Sequence, residues 1–391
     1  MDNIRVGNSQ YIRDLNLSGI FRLIHRYGPI SRKELAENTG YSAATISNHV
    51  KRLLDNSFVI ETDKGSSTGG RKPVYLTVNP SRSYIISVGI EVNHIRVMVF
   101  DLNLKVKNSL LLPLKKEKAE GIILGLIDDI KNFCIDSKLD IDKVIGMGIV
   151  LPGLVNDKKG VLYFAPNLEW YNVEVKKYFE KVFKFPVLIE NEAKAAVLGE
   201  REFVYPEADN IVFVSINEGI GCGIIFDGNL YRGASRNAGE FGHIIIDSDG
   251  PQCHCGNQGC WETLASLNFI VSKYKQKTGL DIIPDQLQEK VLSGERELIS
   301  IIKETASNIA VGLVNIVNSL SPEMLVIGGD IIGFKEYIAE EIDKVLAERA
   351  LSVSYQHTDI VYSKLGNKAS LYGVARMVFD NNIEEQIFDV I

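Results

Sequence analysis

No stretch of the 391 residues runs eighteen apolar positions unbroken, so a membrane-spanning helix is not expected. The first residues, Met1 to Gln10, are polar and lack the apolar centre of a secretory leader, which points to a cytoplasmic location. Cysteine is scarce, five in all, and a chain this long buries a core without disulfides. No short-period repeat or low-complexity tract is visible. Hydrophobic content of 45% and charged content of 24% are those of a globular protein, and the length suggests two or three domains.

The net charge of −7 is unevenly spread. Residues 1–80 carry 11 Lys+Arg against 7 Asp+Glu, while the remainder carries 32 against 43. A basic segment on an acidic body suggests that the first 80 residues meet a polyanion.

That segment reads as three helices and a hairpin. Leu17, Ile20, Phe21 and Ile24 keep helical spacing and predict a helix over 15–27, stopped by Gly28-Pro29. Ser31 and Glu34 form a capping box for a second helix to about Thr39, and Gly40 ends it. Ser42 caps a third, 43–56, with Ile46, Val50, Leu53 and Leu54 inward. Phe58-Val59-Ile60 and Val74–Val78 flank a Gly/Ser loop with a basic exit, a hairpin wing. Short helix, glycine turn and polar-faced helix make a helix-turn-helix. On the third helix Thr45, Asn48 and Arg52 share the outer face, flanked by Ser47 and Lys51; with Ser42 they are candidates for bases and phosphates. Arg71 and Lys72 on the wing would meet the backbone or minor groove. Any solvated helix carries such residues, but the whole unit points to DNA. Asn79-Pro80-Ser81 reads as a linker.

After residue 82 the pattern becomes α/β. Tyr84–Glu91, His94–Asp101 and Lys105–Leu112 read as an antiparallel meander, followed by a helix at 117–137 and a buried strand at Val144–Val150. A long loop with Pro152-Gly153 and Pro166-Asn167 comes next. Then come a helix at 173–183, a strand at Val187–Glu190 and a helix at 191–203. From Ile211–Ile216 the alternation restarts, which suggests two related lobes with a cleft between them. The expected units are 1–80, 81–195 (completed by the C-terminal helix) and 196–391.

Cys253, Cys255 and Cys260 fall within eight residues on a glycine-containing loop. In a cytosolic chain such a cluster reads as a metal site before a disulfide framework. Zinc takes four N/S ligands, and the fourth is His243 or His254. Planar donors and acceptors suited to sugar hydroxyls interrupt the apolar runs at Asn167, Asn191, Glu192, Glu240, His243 and Glu262. Asn191 also stands where it would cap the helix after it.

The text "LNLSGIFRLIHRYGPISRKELAENTGYSAATISNHVKRLL", then "GGRKPVYL", and later "AGEFGHIIID" with "CHCGNQGCWETLAS", resembles the ROK family of repressors, uncharacterised reading frames and kinases. The likeness runs from about Leu15 to Val378. It implies a winged helix-turn-helix followed by a two-lobed actin/hexokinase-like (ribonuclease H-like) domain. It also implies a structural zinc on His243, Cys253, Cys255 and Cys260, and sugar contacts at Gly153, Asn167, Asn191, Glu192, Glu240, His243 and Glu262. Family repressors carry the N-terminal segment and family kinases lack it.

The kinases' phosphate loops are altered here. Their Asp-x-Gly-Gly-Thr-Lys aligns with Glu91-Val92-Asn93-His94-Ile95-Arg96, where both glycines have become side chains. Their Gly-Thr-Gly-Ile-Gly-Gly-Gly aligns with Asn217-Glu218-Gly219-Ile220-Gly221-Cys222-Gly223, where Glu218 sets a negative charge against phosphate. The catalytic Asp becomes Glu192. Gly328-Gly329 keeps the form of the adenosine-side turn, read here as a strand-to-helix turn. The expectation is therefore a non-catalytic, sugar-responsive repressor. It would bind operator DNA as a homodimer or dimer of dimers and sense a free monosaccharide, xylose before glucose or another hexose. An ATP-dependent sugar kinase with a fused DNA-binding domain is the competing reading.

Overall fold

The computed structural model describes residues 9–63, 74–115 and 117–390. α1 (Ser9–Tyr27) is followed by β1 (Ile30–Ser31), α2 (Arg32–Thr39), α3 (Ala43–Asp55), β2 (Val59–Asp63) and β3 (Val74–Val78). Ser31 Oγ accepts the Glu34 N–H at 3.2 Å and the Glu34 carboxylate accepts the Ser31 N–H at 2.8 Å, so α2 has its capping box. Gly40 ends α2 at φ 71°, a left-handed conformation suited to glycine. β3 pairs antiparallel with both β2 and β1, giving the order β1-β3-β2. Leu17, Ile20, Phe21, Ile24, Ile46, Val50 and Leu53 are buried as expected, while Leu54 is half-buried. α1 begins six residues before the expected start, because its first turns precede the apolar stripe that marked it. The wing loop with Arg71 and Lys72 lies outside the described residues.

The first lobe opens with the meander β4 (Tyr84–Ile90), β5 (His94–Asp101) and β6 (Val106–Pro113), then α4 (Ala119–Asp136) and β7 (Val144–Leu151). The expected long loop is instead a second small sheet: β8 (Leu154–Asn156), β9 (Val161–Ala165) and β10 (Trp170–Val173). Trp170 pairs with Ala165 and Val173 with Leu162, so residues 170–173 are strand. The helix expected at 173–183 shrinks to α5 (Val175–Glu180). β11 (Val187–Asn191) completes the main sheet, ordered β11-β7-β4-β5-β6, with β7 parallel to both of its neighbours.

α6 (Glu192–Phe203) leads into β12 (Ile211–Ile216), β13 (Ile220–Phe226) and β14 (Asn229–Leu230). Next come α7 (Glu262–Ala265), α8 (Leu267–Thr278), α9 (Leu287–Leu292), α10 (Arg296–Leu320), β15 (Met324–Gly328), α11 (Lys335–Arg349), α12 (Ser352–Gln356) and β16 (Asp359–Tyr362). The second sheet runs β14-β13-β12-β15-β16. α13 (Ala369–Val390) then returns to the first sheet, where Val374 and Val378 fill the space over Gly148 and Gly146. α6 lies on the second sheet, its backbone against Gly223. The two helices cross with backbones in contact: a Cβ at Gly373 would fall 1.7 Å from the Ala195 carbonyl oxygen.

The DNA-binding unit does not hang on a free tether. One continuous apolar core joins Phe21, Ile24 and Phe58 to Phe379 and Ile383 of α13 and to Phe100 and Leu102 of the first lobe. Arg22 of α1 pairs with Asp380 at 2.8 Å and Glu384 at 3.1 Å. The expected linker is packed, with Asn79 Nδ2 donating to the Ser57 carbonyl and the Leu102 N–H to the Pro80 carbonyl.

Candidate functional site

A cleft of about 600 Å³ opens between the lobes. All seven expected sugar residues line it. Their surroundings divide them. Gly153 (φ 87°) lets β8 and β9 approach, since a Cβ there would lie 2.1 Å from the Phe164 carbonyl oxygen. Asn191 caps α6 by accepting the Lys194 N–H at 3.1 Å, and its Nδ2 donates to the Gly153 carbonyl at 3.0 Å. Glu192 Oε1 accepts from Ser215 Oγ and Asn217 Nδ2, both at 3.0 Å. Burial raises the Glu192 pKa, and those two donors oppose the shift. Asn167 is exposed at the cleft, where Glu240, His243 and Glu262 lie together.

The His243 ring stands between two carboxylates, with Nδ1 3.3 Å from Glu262 and Nε2 4.0 Å from Glu240. The Nδ1 edge also faces the cysteines. Cys253 Sγ lies 3.6 Å from Nδ1, and Cys255 Sγ lies 3.6 Å from Cys260 Sγ. All four candidate ligand atoms fall within 4.8 Å of one another. A tetrahedral ion with bonds of about 2.0 Å to nitrogen and 2.3 Å to sulfur has ligand–ligand edges of about 3.5–3.8 Å, so a metal ion fits this set. His243 is delivered by a short turn, Phe241–His243, and by the bridge pairing Ile245 with Cys260. His254 lies outside the cluster and on the cleft wall. Glu262 Oε1 sits 3.0 Å from Cys253 Sγ, so the cysteine loop and this carboxylate are held together.

The side of the cleft aligned with the phosphate loops is acidic. Glu91, Glu192, Glu218, Asp285 and Asp330 line it, and Glu240 and Glu262 line the same cleft. Among the described residues no lysine or arginine lines the cleft. Burial, then the Glu192 charge, pushes Glu91 up to about 7. Burial likewise pushes Glu218 up to about 7; its own backbone N–H opposes this, and Asp330, Glu192 and Asp285 add to it. Asn93 Nδ2 donates across the cleft to Glu218 at 3.2 Å and Asp285 at 3.0 Å. Asp285 and Asp330 escaped the sequence reading; a Gly-Gly-Asp exit from β15 was the one available sign of Asp330.

A partly buried ion network behind Glu240 was also missed. Asp157 pairs with Arg236, Arg232 with Glu190, and the buried Lys194 donates to the Arg236 carbonyl at 2.6 Å. It fixes the 232–240 segment, and so Glu240, against β11 and α6.

On α3, Ser42, Ser47, Asn48 and Lys51 are exposed. Thr45 is half-buried with its hydroxyl 2.9 Å from that of Ser42. Ser42 Oγ itself caps the helix by accepting the Thr45 N–H. Arg52 is half-buried and lies 3.7 Å from Asp14.

This geometry is that of a regulator built on a sugar-kinase-like body, and comparison with known proteins agrees. Residues 85–381 match the ROK family and residues 13–60 match the winged helix-turn-helix DNA-binding pattern. The chain belongs to the ROK family. It is 31% identical to the xylose repressor of Bacillus subtilis (strain 168), over 97% of this chain and 98% of that protein. The crystal structure of a ROK family transcriptional regulator, a homologue of the E. coli MLC protein, superposes with a TM-score of 0.81 at 26% identity, covering 97% of this chain and 99% of that one. A ROK family glucokinase from Streptomyces griseus, in complex with glucose and AMPPNP, matches with a TM-score of 0.66 at 28% identity. It covers 75% of this chain and 99% of its own. No helix among the described residues is long and apolar enough to cross a membrane.

Proposed function

We propose that this chain is a sugar-responsive transcriptional repressor that binds operator DNA through α3 and the wing and a free monosaccharide in the interlobe cleft. The observation that carries the reading is the lining of that cleft. It gathers Asn167, Glu240, His243 and Glu262 for hydroxyls, while Glu91, Glu218, Asp285 and Asp330 would meet a nucleotide's phosphates with carboxylates. Ser42, Ser47, Asn48 and Lys51 would meet the major groove, with Thr45 and Arg52 beside them and Arg71 and Lys72 on the wing. Xylose is the favoured effector, supported by the name of the Bacillus subtilis relative, and glucose or another hexose is the alternative. Zinc suits the donor set, with His243, Cys253, Cys255 and Cys260 holding it, and when bound it supplies structural order and no chemistry. A homodimer presenting two recognition helices to a palindromic operator completes the scheme.

Sugar in the cleft would shift the lobes and weaken operator binding. Mobility-shift titration with the DNA upstream of its own operon tests this. Xylose or glucose is expected to release the DNA, and indifference to every monosaccharide refutes the sensing role. The kinase reading is tested in parallel: robust ADP release from ATP, magnesium and sugar would overturn the non-catalytic assignment.

A further inference from the structure

The altered phosphate loops touch each other. Asn93 sits in the β4–β5 turn of the first lobe, Glu218 in the β12–β13 turn of the second, and Asp285 between α8 and α9. Backbone bonds make both turns tight: the Glu91 N–H donates to the His94 carbonyl at 2.8 Å, and the Asn217 N–H to the Gly219 carbonyl at 2.9 Å. The side chains therefore have little slack. In the family alignment these turns are where a nucleotide would contact both lobes at once. Here an amide on one lobe spans to two carboxylates on the other.

We propose that Asn93 is a positioning residue that takes the nucleotide's place as the bridge between lobes, holding the cleft in its sugar-binding arrangement. The proposal rests on the sugar-sensing reading above. The chemistry of the bridge is specific. A carboxamide carries two N–H donors and no charge, so one group can serve Glu218 and Asp285 together. Glycine, the family kinases' residue here, would leave those carboxylates facing an open gap. A carboxylate would add a negative charge beside Glu218, Asp285, Asp330, Glu91 and Glu192; among the described residues His94, Arg96 and Lys115, which follows the Leu114 bonded to the Asn93 carbonyl, are the nearby basic groups.

The test uses the full chain, wild type, Asn93→Gly and Asn93→Asp, titrated calorimetrically with D-xylose and D-glucose at pH 6 and pH 8. Asn93→Gly is expected to bind more weakly by about a hundredfold or more at pH 8, the scale of two hydrogen bonds to charged acceptors, to lose less at pH 6, and to remain folded by circular dichroism. Asn93→Asp is expected to lose more at pH 8 and to recover at pH 6, where Glu218 holds a proton. Wild-type affinity in both variants at both pH values overturns the proposal. Small-angle scattering without sugar separates it from the sensing reading. Asn93→Asp is expected to enlarge the particle at pH 8 and not at pH 6; no change refutes the bridge whether or not a sugar binds. Absence of sugar binding in the wild type, with the pH-dependent expansion intact, would sink the sensing role and keep the bridge.

Discussion

Truncating Phe379 to alanine tests whether the DNA-binding unit and the first lobe share one core. The ring is 1% exposed. It stacks 6.3 Å from the Phe21 ring of α1, lies 4.5 Å from His25, and carries the Arg376 guanidinium 5.5 Å from its centre. Removing a buried phenylalanine costs about 3–5 kcal/mol, through lost transfer energy and a cavity. Taking about 4 kcal/mol, the ratio of folded to unfolded protein falls roughly a thousandfold. The neighbouring ion pairs cannot compensate. Arg22, Asp380 and Glu384 are each more than a third exposed, and such pairs contribute under about 1 kcal/mol. Denaturant titration followed by circular dichroism and by a fluorophore on the winged helix measures the effect. Both probes should report the same midpoint in the wild type and the same loss in the variant. A winged helix that melts separately, or a loss below about 1 kcal/mol, would refute the shared core.

Glu218→Gln should raise stability at pH 8 and change little below pH 4.5. The folded-state pKa lies above the unfolded value, so the ionisation cost is present at high pH and vanishes as the carboxyl protonates. The ceiling on the gain is about 3 kcal/mol, read from melting curves across that range. Cys260→Ser should reduce bound zinc to near zero by elemental analysis and lower the melting temperature, whereas full zinc occupancy in the variant would remove Cys260 from the ligand set. Gly373→Ala should destabilise by about 1–3 kcal/mol or more, because the added methyl meets backbone rather than a flexible side chain.

What could be read from sequence was what lies close in sequence. The helix-turn-helix announced itself through Ser31 with Glu34, Gly40 and Ser42, each a local cap with a local cause. The cluster of His243 with three cysteines, which could hold a metal, was equally legible, since three of its four members fall on one short loop. The β8–β10 sheet was not, because Pro152, Gly153 and Pro166 punctuate it like a loop and its strands are short. Asn191 carried both signals, and the structure shows its capping role directly. Asp157 and Arg236, 79 positions apart, have no shared local signature. Nor do Asn93 and Asp285, 192 positions apart, of which only Asn93 stood out, as a departure from a phosphate motif. The resemblance to the kinase motifs marked Asn93 and Glu218 as departures; only the fold shows them hydrogen-bonded to each other.

The packing also limits how a ligand at Glu192 could be felt at the DNA. The linker route is closed, because Asn79 and Pro80 are bonded to the bodies on either side. α6 starts at Glu192, and α6 meets α13 backbone to backbone at Gly199 and Gly373. α13 then carries the winged helix on Phe379, Asp380 and Ile383. From Gly373 to Ile383 is ten residues, about 15 Å along the helix. A rotation of about 10° at the crossing moves that far end by about 2–3 Å, and packed interfaces answer such shifts by switching arrangement rather than by stretching. The glycine crossing, flanked by the Phe203–Tyr372 ring pair and the Glu202–Arg376 ion pair, is therefore the route by which movement of the second lobe would reach the DNA-binding unit.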